Sequence, residues 1–381
     1  MNHLHEDTVA FRHYISRWVD ERLVPVAERL DTDQEFSFAL FRELGELGYL
    51  GTLYPEAVGG SGVSYPFTSF TILCEELARG SMGFAAGVCM HGSTATNTIY
   101  EWGSEALKDA YLKPALRGEK VAAFAITEPD AGSDAASLKT RATKVDGGYL
   151  LNGSKLFTTN GTVADFITVV ATVDPARGTK GLDLFLVDTQ WKGFQVGHKL
   201  EKFSLRCSDT GELVFQDLFV PSGHCLGDGG GGGFLKAYKS LTVDRIFTAA
   251  LALGNAQAAY DAAVRYAGER RQFGQTIGKF QAVQFRLVDM LAELEQAKLY
   301  TYYASALADR DASITTEAAL AKIIAAERCN DVCQKALSIF GGYGLMNEFP
   351  IQRYLRDAYF PMIGGGTGDI MRLIVARQIG L

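Results

Sequence analysis

The strongest constraint on this chain is where its β-forming segments fall. Runs rich in β-branched and aromatic residues (Tyr149–Gly153, Phe166–Thr172, Leu182–Val187 and Glu212–Phe215) all lie between residues 122 and 229, separated by Gly, Asn, Asp and Pro. No helical pattern separates them. A doubly wound parallel sheet interleaves strands with helices, so it is excluded, and an antiparallel sheet or small barrel is expected. On either side, apolar residues recur at i, i+3 and i+4. They do so in Ala10–Leu30, Phe38–Leu50, Phe67–Arg79, Met82–Asn97 and Glu105–Leu116, then in Phe234–Arg271, Gln281–Asp309, Thr315–Phe340, Asn347–Ala358 and Thr367–Gln378. The expectation is an α+β multidomain protein: an N-terminal α-helical domain over 1–121, a central antiparallel β domain over 122–229, and a C-terminal four-helix bundle over 230–381.

Composition narrows the function. A net charge of −7 without a basic stripe argues against nucleic-acid binding. No apolar run approaches the ~20 residues a membrane span needs. Met1–Thr8 is polar and includes acids, with no apolar signal core, so a cytoplasmic location without membrane insertion is expected. The six cysteines lack CxxC spacing and suit buried reduced thiols. Cys329 and Cys333 share a helix face, but no histidine lies nearby, and no metal is expected. The run Gly229–Gly233 satisfies a GxGxxG pattern with Gly227, yet it lacks the βαβ context of a dinucleotide fingerprint and reads as a connector.

Three stretches carry possible chemistry. Ala125–Asp134 offers backbone amides around a Pro/Gly turn, with hydroxyls at Thr127 and Ser133. Lys155–Gly161 places an aromatic residue, Phe157, beside Thr158 and Thr159 before an Asn-Gly turn. Arg270–Gly274 ends a long helix with two arginines, suited either to the helix dipole or to a phosphate. A fourth stretch, Gly364–Gly366 before the last helix, has no side chains and permits close approach of another group.

Together with Phe41–Gly48, Arg206–Thr210, Phe340–Gly344, Leu355–Asp357 and Gly366–Arg377, these stretches resemble the acyl-CoA dehydrogenase family, flavoproteins that oxidise the α–β bond of an acyl thioester. The resemblance covers nearly the whole chain. It implies FAD, with its ring system against Phe124, Ile126 and Thr127 and against Phe157, Thr158 and Thr159 (the family usually has Trp where Phe157 stands). Ser133 would touch flavin or the pantetheine arm. Arg270, Phe273, Gln281, Ser338, Gly341 and Gly342 would reach the FAD of a neighbouring subunit, with Thr367 and Asp369 completing that site. Ser338 stands where the family commonly has Gln, which implies a shortened or water-mediated contact.

Many members carry the catalytic base as a Glu immediately before the Gly-Thr of the last loop. Here that residue is Gly365. Isovaleryl and long-chain types instead carry the base on the first helix of the C-terminal bundle, just before an Arg, and this chain has Asp244 there, in Leu241–Arg245. The resemblance therefore implies Asp244 as base and the Gly365 N–H as donor to the thioester carbonyl, with Leu241, Arg245 and Gly366 lining the substrate. It also implies an electron-transfer flavoprotein as electron acceptor and a homotetramer. Short or branched acyl-CoA is favoured, because moving the base frees space near the α-carbon. An acyl group on a carrier protein, or a non-catalytic flavin-binding homologue, are the alternatives. His91 and Tyr343 are expected to pack near the pocket without taking part in chemistry.

Overall fold

The computed structural model describes residues 5–381; the first four residues of the polar N-terminal segment lie outside them. The helical pattern over Ala10–Leu30 is realised as two helices, α1 (Glu6–Trp18) and α2 (Ala27–Asp33). Between them the chain passes through a wide turn at Val19–Leu23 and a tight one at Val24–Val26. Pro25 has no N–H and clashes with the preceding turn, so a single helix cannot run through it. Then come α3 (Phe38–Glu46), α4 (Pro66–Met90) and the short α5 (Thr96–Trp102), α6 (Glu105–Leu107) and α7 (Lys113–Leu116). Helix α4 is broken at Ser81, whose φ/ψ of −157°/109° is extended.

The strands are β1 (Ala122–Ala125), β2 (Arg141–Val145), β3 (Gly148–Thr159), β4 (Phe166–Thr172), β5 (Leu182–Asp188), β6 (Phe194–Lys199) and β7 (Thr210–Pro221). They form one sheet in the order β1-β4-β2-β3-β7-β6, with β5 also on β4. The sheet is mixed, which corrects the purely antiparallel expectation. Its long pairs β3–β7, β4–β5 and β6–β7 are antiparallel, but β1 joins β4 in parallel, Ala122 opposite Phe166. Strand β1 is Ala-Ala-Phe-Ala and is buried throughout, as a strand covered on both faces should be.

Helices α8 (Gly233–Glu269), α9 (Gln281–Ala308) and α10 (Thr315–Phe340) build the C-terminal domain. Helices α11 (Ile351–Asp357) and α12 (Phe360–Ile363) lead to α13 (Gly368–Gln378), which packs on α10. Helix α11 starts only after Pro350, later than the sequence pattern suggests, because a residue before proline avoids helical geometry.

Polar contacts join the three parts. Asp309, at the end of α9, accepts from the Phe67 and Thr68 N–H groups at 2.8 and 3.0 Å, satisfying donors that the start of α4 leaves free. Asn160 donates to the carbonyls of Gly87 and Ala122, tying α4 to β1. Asp357 accepts from Leu205 N–H at 2.7 Å, joining α11 to the loop before β7. Burial pushes its carboxyl up to about 6. All six cysteines are free thiols; five are buried and Cys225 is half-buried. Among the described residues, no helix is long and apolar enough to cross a membrane.

Where α4 meets α8, Gly254 lies so close to the Glu75 carbonyl that a Cβ would sit 1.9 Å from it. The Glu75 side chain, 3% exposed, pairs with Arg12 at 2.7 Å and Lys298 at 3.2 Å and accepts from Tyr302. Burial alone would raise this carboxyl, but Arg12 and Lys298 bring it down to about 2. A group depressed on folding stabilises fully above its unfolded value, here 4.5, and loses that contribution as pH falls towards 2. Glu75→Gln should therefore cost about 3 kcal/mol at neutral pH, since it leaves Lys298 without its carboxylate and Arg12 with Glu76 alone. It should also flatten the stability curve between pH 4.5 and 2 in denaturant titrations.

Candidate active site

Asp244 lies on the first third of α8 and is 3% exposed. Its carboxylate is held from α4 and from the turn that follows it. Ser93 Oγ donates to Oδ1 at 2.6 Å, and Cys89 Sγ lies 3.8 Å from the same oxygen. Thr248 Oγ1, one turn further along α8, is 3.5 Å from Oδ2. Burial raises the Asp244 carboxyl above the ordinary aspartate range; Ser93, Lys322 and Arg245 pull in the opposite direction. A buried carboxyl with a raised pKa is the kind of group that can accept a proton near neutral pH.

Opposite Asp244 is the triple glycine. Gly365 and Gly366 have φ of +67° and +99°, conformations that a side chain would strain. A Cβ on Gly365 would lie 3.5 Å from Asp244 Oδ2 and 3.5 Å from Thr248 Oγ1. The two residues read as catalytic from sequence are thus brought face to face. Gly365 is solvent-exposed, whereas the carboxylate it faces is buried. Leu241, half-buried one turn before Asp244, flanks it on α8. Arg245 is 4% exposed, stacks over the Tyr238 ring at 4.9 Å and donates to Thr242 at 3.3 Å, and its Nε has no partner among the described residues.

The strand-end segments form a second wall. In β3 the register against β7 slips between Lys155 and Thr158. This irregularity gives Phe157 a φ of +58° and turns its ring outward, 63% exposed, while Thr158 faces inward. Among the described residues, the buried Thr158 Oγ1 has no hydrogen-bond partner. The neighbouring turn is braced by Lys155, a fully buried lysine that donates to Ile126 O at 2.9 Å and Glu128 Oε1 at 2.8 Å. Glu128 in turn accepts from the N–H groups of Lys139 and Thr140. Burial pushes the Lys155 ammonium down to about 8, against the pull of Glu128. Ile126 and Thr127 are thereby held half-exposed beside Phe157 and Thr159, with Phe124 buried behind them. An exposed aromatic face next to an unpartnered buried hydroxyl fits a flat ring system with hydrogen-bonding edges, so these residues suit a flavin. Ser133 lies on the exposed Ala131–Asp134 turn, where Gly132 has open space around it.

Other sequence-derived candidates lie elsewhere on the chain. Arg270 caps the far end of α8, about 39 Å along the helix axis from Asp244 at 1.5 Å per residue. There its guanidinium stacks on Tyr343 at 5.3 Å. Phe273 is 92% exposed, and Gln281, Gly341 and Gly342 are exposed as well. Ser338 Oγ donates to Gln334 O of its own helix at 2.9 Å. This group cannot reach Asp244 within one chain. Thr367 caps α13 by accepting from Ile370 N–H at 3.3 Å. With Asp369 it lines a cavity of about 220 Å³ together with Lys322, Met362 and Arg372.

His91 is fully buried, accepts from Ala122 N–H at Nδ1 and faces Ala115 O through Nε2, and burial pushes it down to about 4; it is a neutral packing residue. Sequence reasoning missed Ser93 and Lys322. A lone lysine inside the alanine-rich run Ala318–Ala326 was the available signal. Ser93 carried none. Because Ser93 donates to the charged form of Asp244, Ser93→Ala should move Asp244 protonation to higher pH, read from its carboxylic C=O infrared band during titration.

Models of the acyl-CoA dehydrogenase N-terminal, middle and C-terminal domains match residues 5–119, 123–218 and 231–380. The chain is 43% identical to benzylmalonyl-CoA dehydrogenase of Aromatoleum aromaticum, over 99% of this chain and 98% of that one. The three-dimensional structure of butyryl-CoA dehydrogenase from Megasphaera elsdenii is similar, with a TM-score of 0.96 and 37% identity, covering 99% of this chain and 98% of the other. A structure of PigA with FAD and proline is similar with a TM-score of 0.94 and 30% identity, covering 99% and 98%.

Proposed function

The chain belongs to the acyl-CoA dehydrogenase family, and from that premise we propose that it oxidises the α–β bond of a short or branched acyl-CoA, with Asp244 as the base. The observation that carries this reading is the buried Asp244 carboxylate facing the side-chain-free Gly365. In a protein of this family, a base is required on one side of the substrate α-carbon, and the loop supplies no carboxylate. Asp244 does. Its side chain is one methylene shorter than Glu, and the missing side chain at Gly365 leaves open the space in which a Cβ would stand 3.5 Å from Asp244 Oδ2.

The cofactor is FAD, which when bound supplies the acceptor for the hydride leaving the β-carbon. Phe157, Thr158, Thr159, Ile126 and Thr127 would hold its ring system, and Ser133 the edge of the site. Each chain residue then has a defined task. Asp244 Oδ2 takes the α-proton, which becomes acidic as charge gathers on the thioester oxygen. Gly365 donates its N–H to that oxygen, an arrangement of the oxyanion-hole type. Ser93 and Thr248 fix the carboxylate rotamer, and its burial keeps water from competing for the proton. Leu241, Arg245 and Gly366 border the acyl group.

The remaining candidates support an oligomer. Arg270, Phe273, Gln281, Ser338, Gly341 and Gly342 lie too far from Asp244 to serve the same chain's site, so they would serve a neighbouring subunit's FAD in a homotetramer, with Thr367 and Asp369 alongside. An electron-transfer flavoprotein would take the electrons onward.

A second reading is favoured by the relative acting on benzylmalonyl-CoA. In a 2-substituted malonyl thioester the α-carbon carries a carboxylate. Loss of CO2 leaves the C–C bonding pair on that carbon, so the enolate forms without a base, and the β-hydride leaves as before. A site whose loop lacks the usual carboxylate suits such a substrate. Anaerobic mixing with paired thioesters, with and without the α-carboxyl, separates the two readings. Flavin bleaching by the plain acyl-CoA supports proton abstraction; bleaching only by the malonyl partner, with CO2 release, supports decarboxylation.

For proton abstraction, Asp244→Asn should slow flavin reduction by about 10²–10⁴-fold. It should also abolish exchange of the substrate α-hydrogen with deuterated water. Unchanged rates in this variant would remove Asp244 from the role of base.

A further inference from the structure

Lys322 is a buried charge that the mechanism leaves unused. It lies on α10, is 1% exposed, and ranks among the largest fully buried side chains of the protein. Among the described residues its ammonium donates to one acceptor, the carbonyl of Gly366. An unpaired lysine costs several kcal/mol to bury, so this contact has to offset a large desolvation penalty. The loop it touches has little else to hold it. Gly364 N–H donates to Phe360 O at 2.8 Å on one side, and Thr367 caps α13 on the other. Between those two anchors lie only Gly365 and Gly366, both at positive φ and with no side chain to pack. Glycines retain more backbone freedom than any other residue, so an unanchored pair would wander.

We infer that Lys322 is a positioning residue for the site: its ammonium clamps the Gly366 carbonyl and so keeps the Gly365 backbone opposite Asp244. The inference rests on the reading of Asp244 as base. The clamp has a second consequence, because the same cation lies close enough to Asp244 to favour its charged form. The other groups facing this corner are Arg245 on α8, Cys89 and Ser93 on the far side of Asp244, Glu327 on α10 itself, and Asp369 and Arg372 on α13. Glu327 and Arg372 pair with each other at 2.6 Å and Asp369 acts on Arg372, and Asp244 is the carboxylate that answers Lys322. Burial, with Arg245 adding to it and Asp244 opposing, brings Lys322 down to about 8.

Two limbs follow for the rate–pH profile. Activity rises as Asp244 ionises and falls as Lys322 loses its proton above pH about 8. Arginine stays charged throughout this range. Lys322→Arg should therefore retain activity above pH 8 where the parent loses it, whereas Lys322→Met should move the acid limb to higher pH and lower kcat more than it raises KM. Independently of turnover, amide hydrogen exchange of the FAD-loaded enzyme should be about tenfold faster over residues 364–368 in Lys322→Met, and close to the parent rate in Lys322→Arg. Parent-like exchange and an unmoved acid limb in Lys322→Met would overturn the clamp. If Lys322→Met fails to fold, Lys322→Arg decides alone: an alkaline limb still at the parent's position overturns it. Failure of the base reading shows separately, as full turnover in Asp244→Asn whatever Lys322 does.

Discussion

Everything in the site depends on the double contact between α4 and α8. The first half of α4 meets α8 at Gly254, where the absence of a side chain lets the helices approach to backbone contact with Glu75. The extended residue Ser81 then breaks α4 and redirects it, so that Cys89 and Ser93 meet α8 again at Asp244, about 15 Å along its axis. Helix α4 thus supplies the packing that fixes α8, and the turn that follows it supplies the hydroxyl that fixes the carboxylate. A larger residue at position 254 would move both together.

The protein buries its functional charges in pairs of unequal partners. Glu128 has Lys155 and two backbone N–H groups, and burial is outweighed, so its carboxyl stays below the ordinary range. Asp244 has one hydroxyl at normal hydrogen-bond length and cations at greater distance, and burial wins, so its carboxyl is raised. The difference in partners sorts two buried acids into two tasks. Glu128 braces a turn, and Asp244 remains poised for a proton.

The triple glycine makes sense only in this setting. Its backbone carries no side-chain chemistry, yet it occupies a position where any Cβ would meet a carboxylate, a hydroxyl, the Phe360 ring or Met371. The loop is confined by its neighbours, and those neighbours come from α8, α10, α12 and α13. Four separated segments of sequence are needed to give three glycines one conformation.

The architecture was legible in the residues themselves. Strand-forming runs confined to the middle third and long apolar periodicities at both ends follow from local pattern, and Pro25 and Pro350 supply the breaks that periodicity alone overlooks. The segments around Thr127 and Phe157 stood out because hydroxyls and an aromatic residue adjoin turns, whereas Asp244 was singled out only through the family resemblance. What the tertiary structure alone decided is non-local. The parallel pairing of β1 with β4 depends on a partner more than forty residues away along the chain, Ala122 with Phe166. Ser93 acquires a role only because the break in α4 carries it to Asp244, 151 residues distant in sequence. Lys322 looks like a solvated helix charge until α13 and the glycine loop close over it. Short-range pattern records what a residue prefers; which buried charges meet is set by how the three domains pack, and no local preference encodes that.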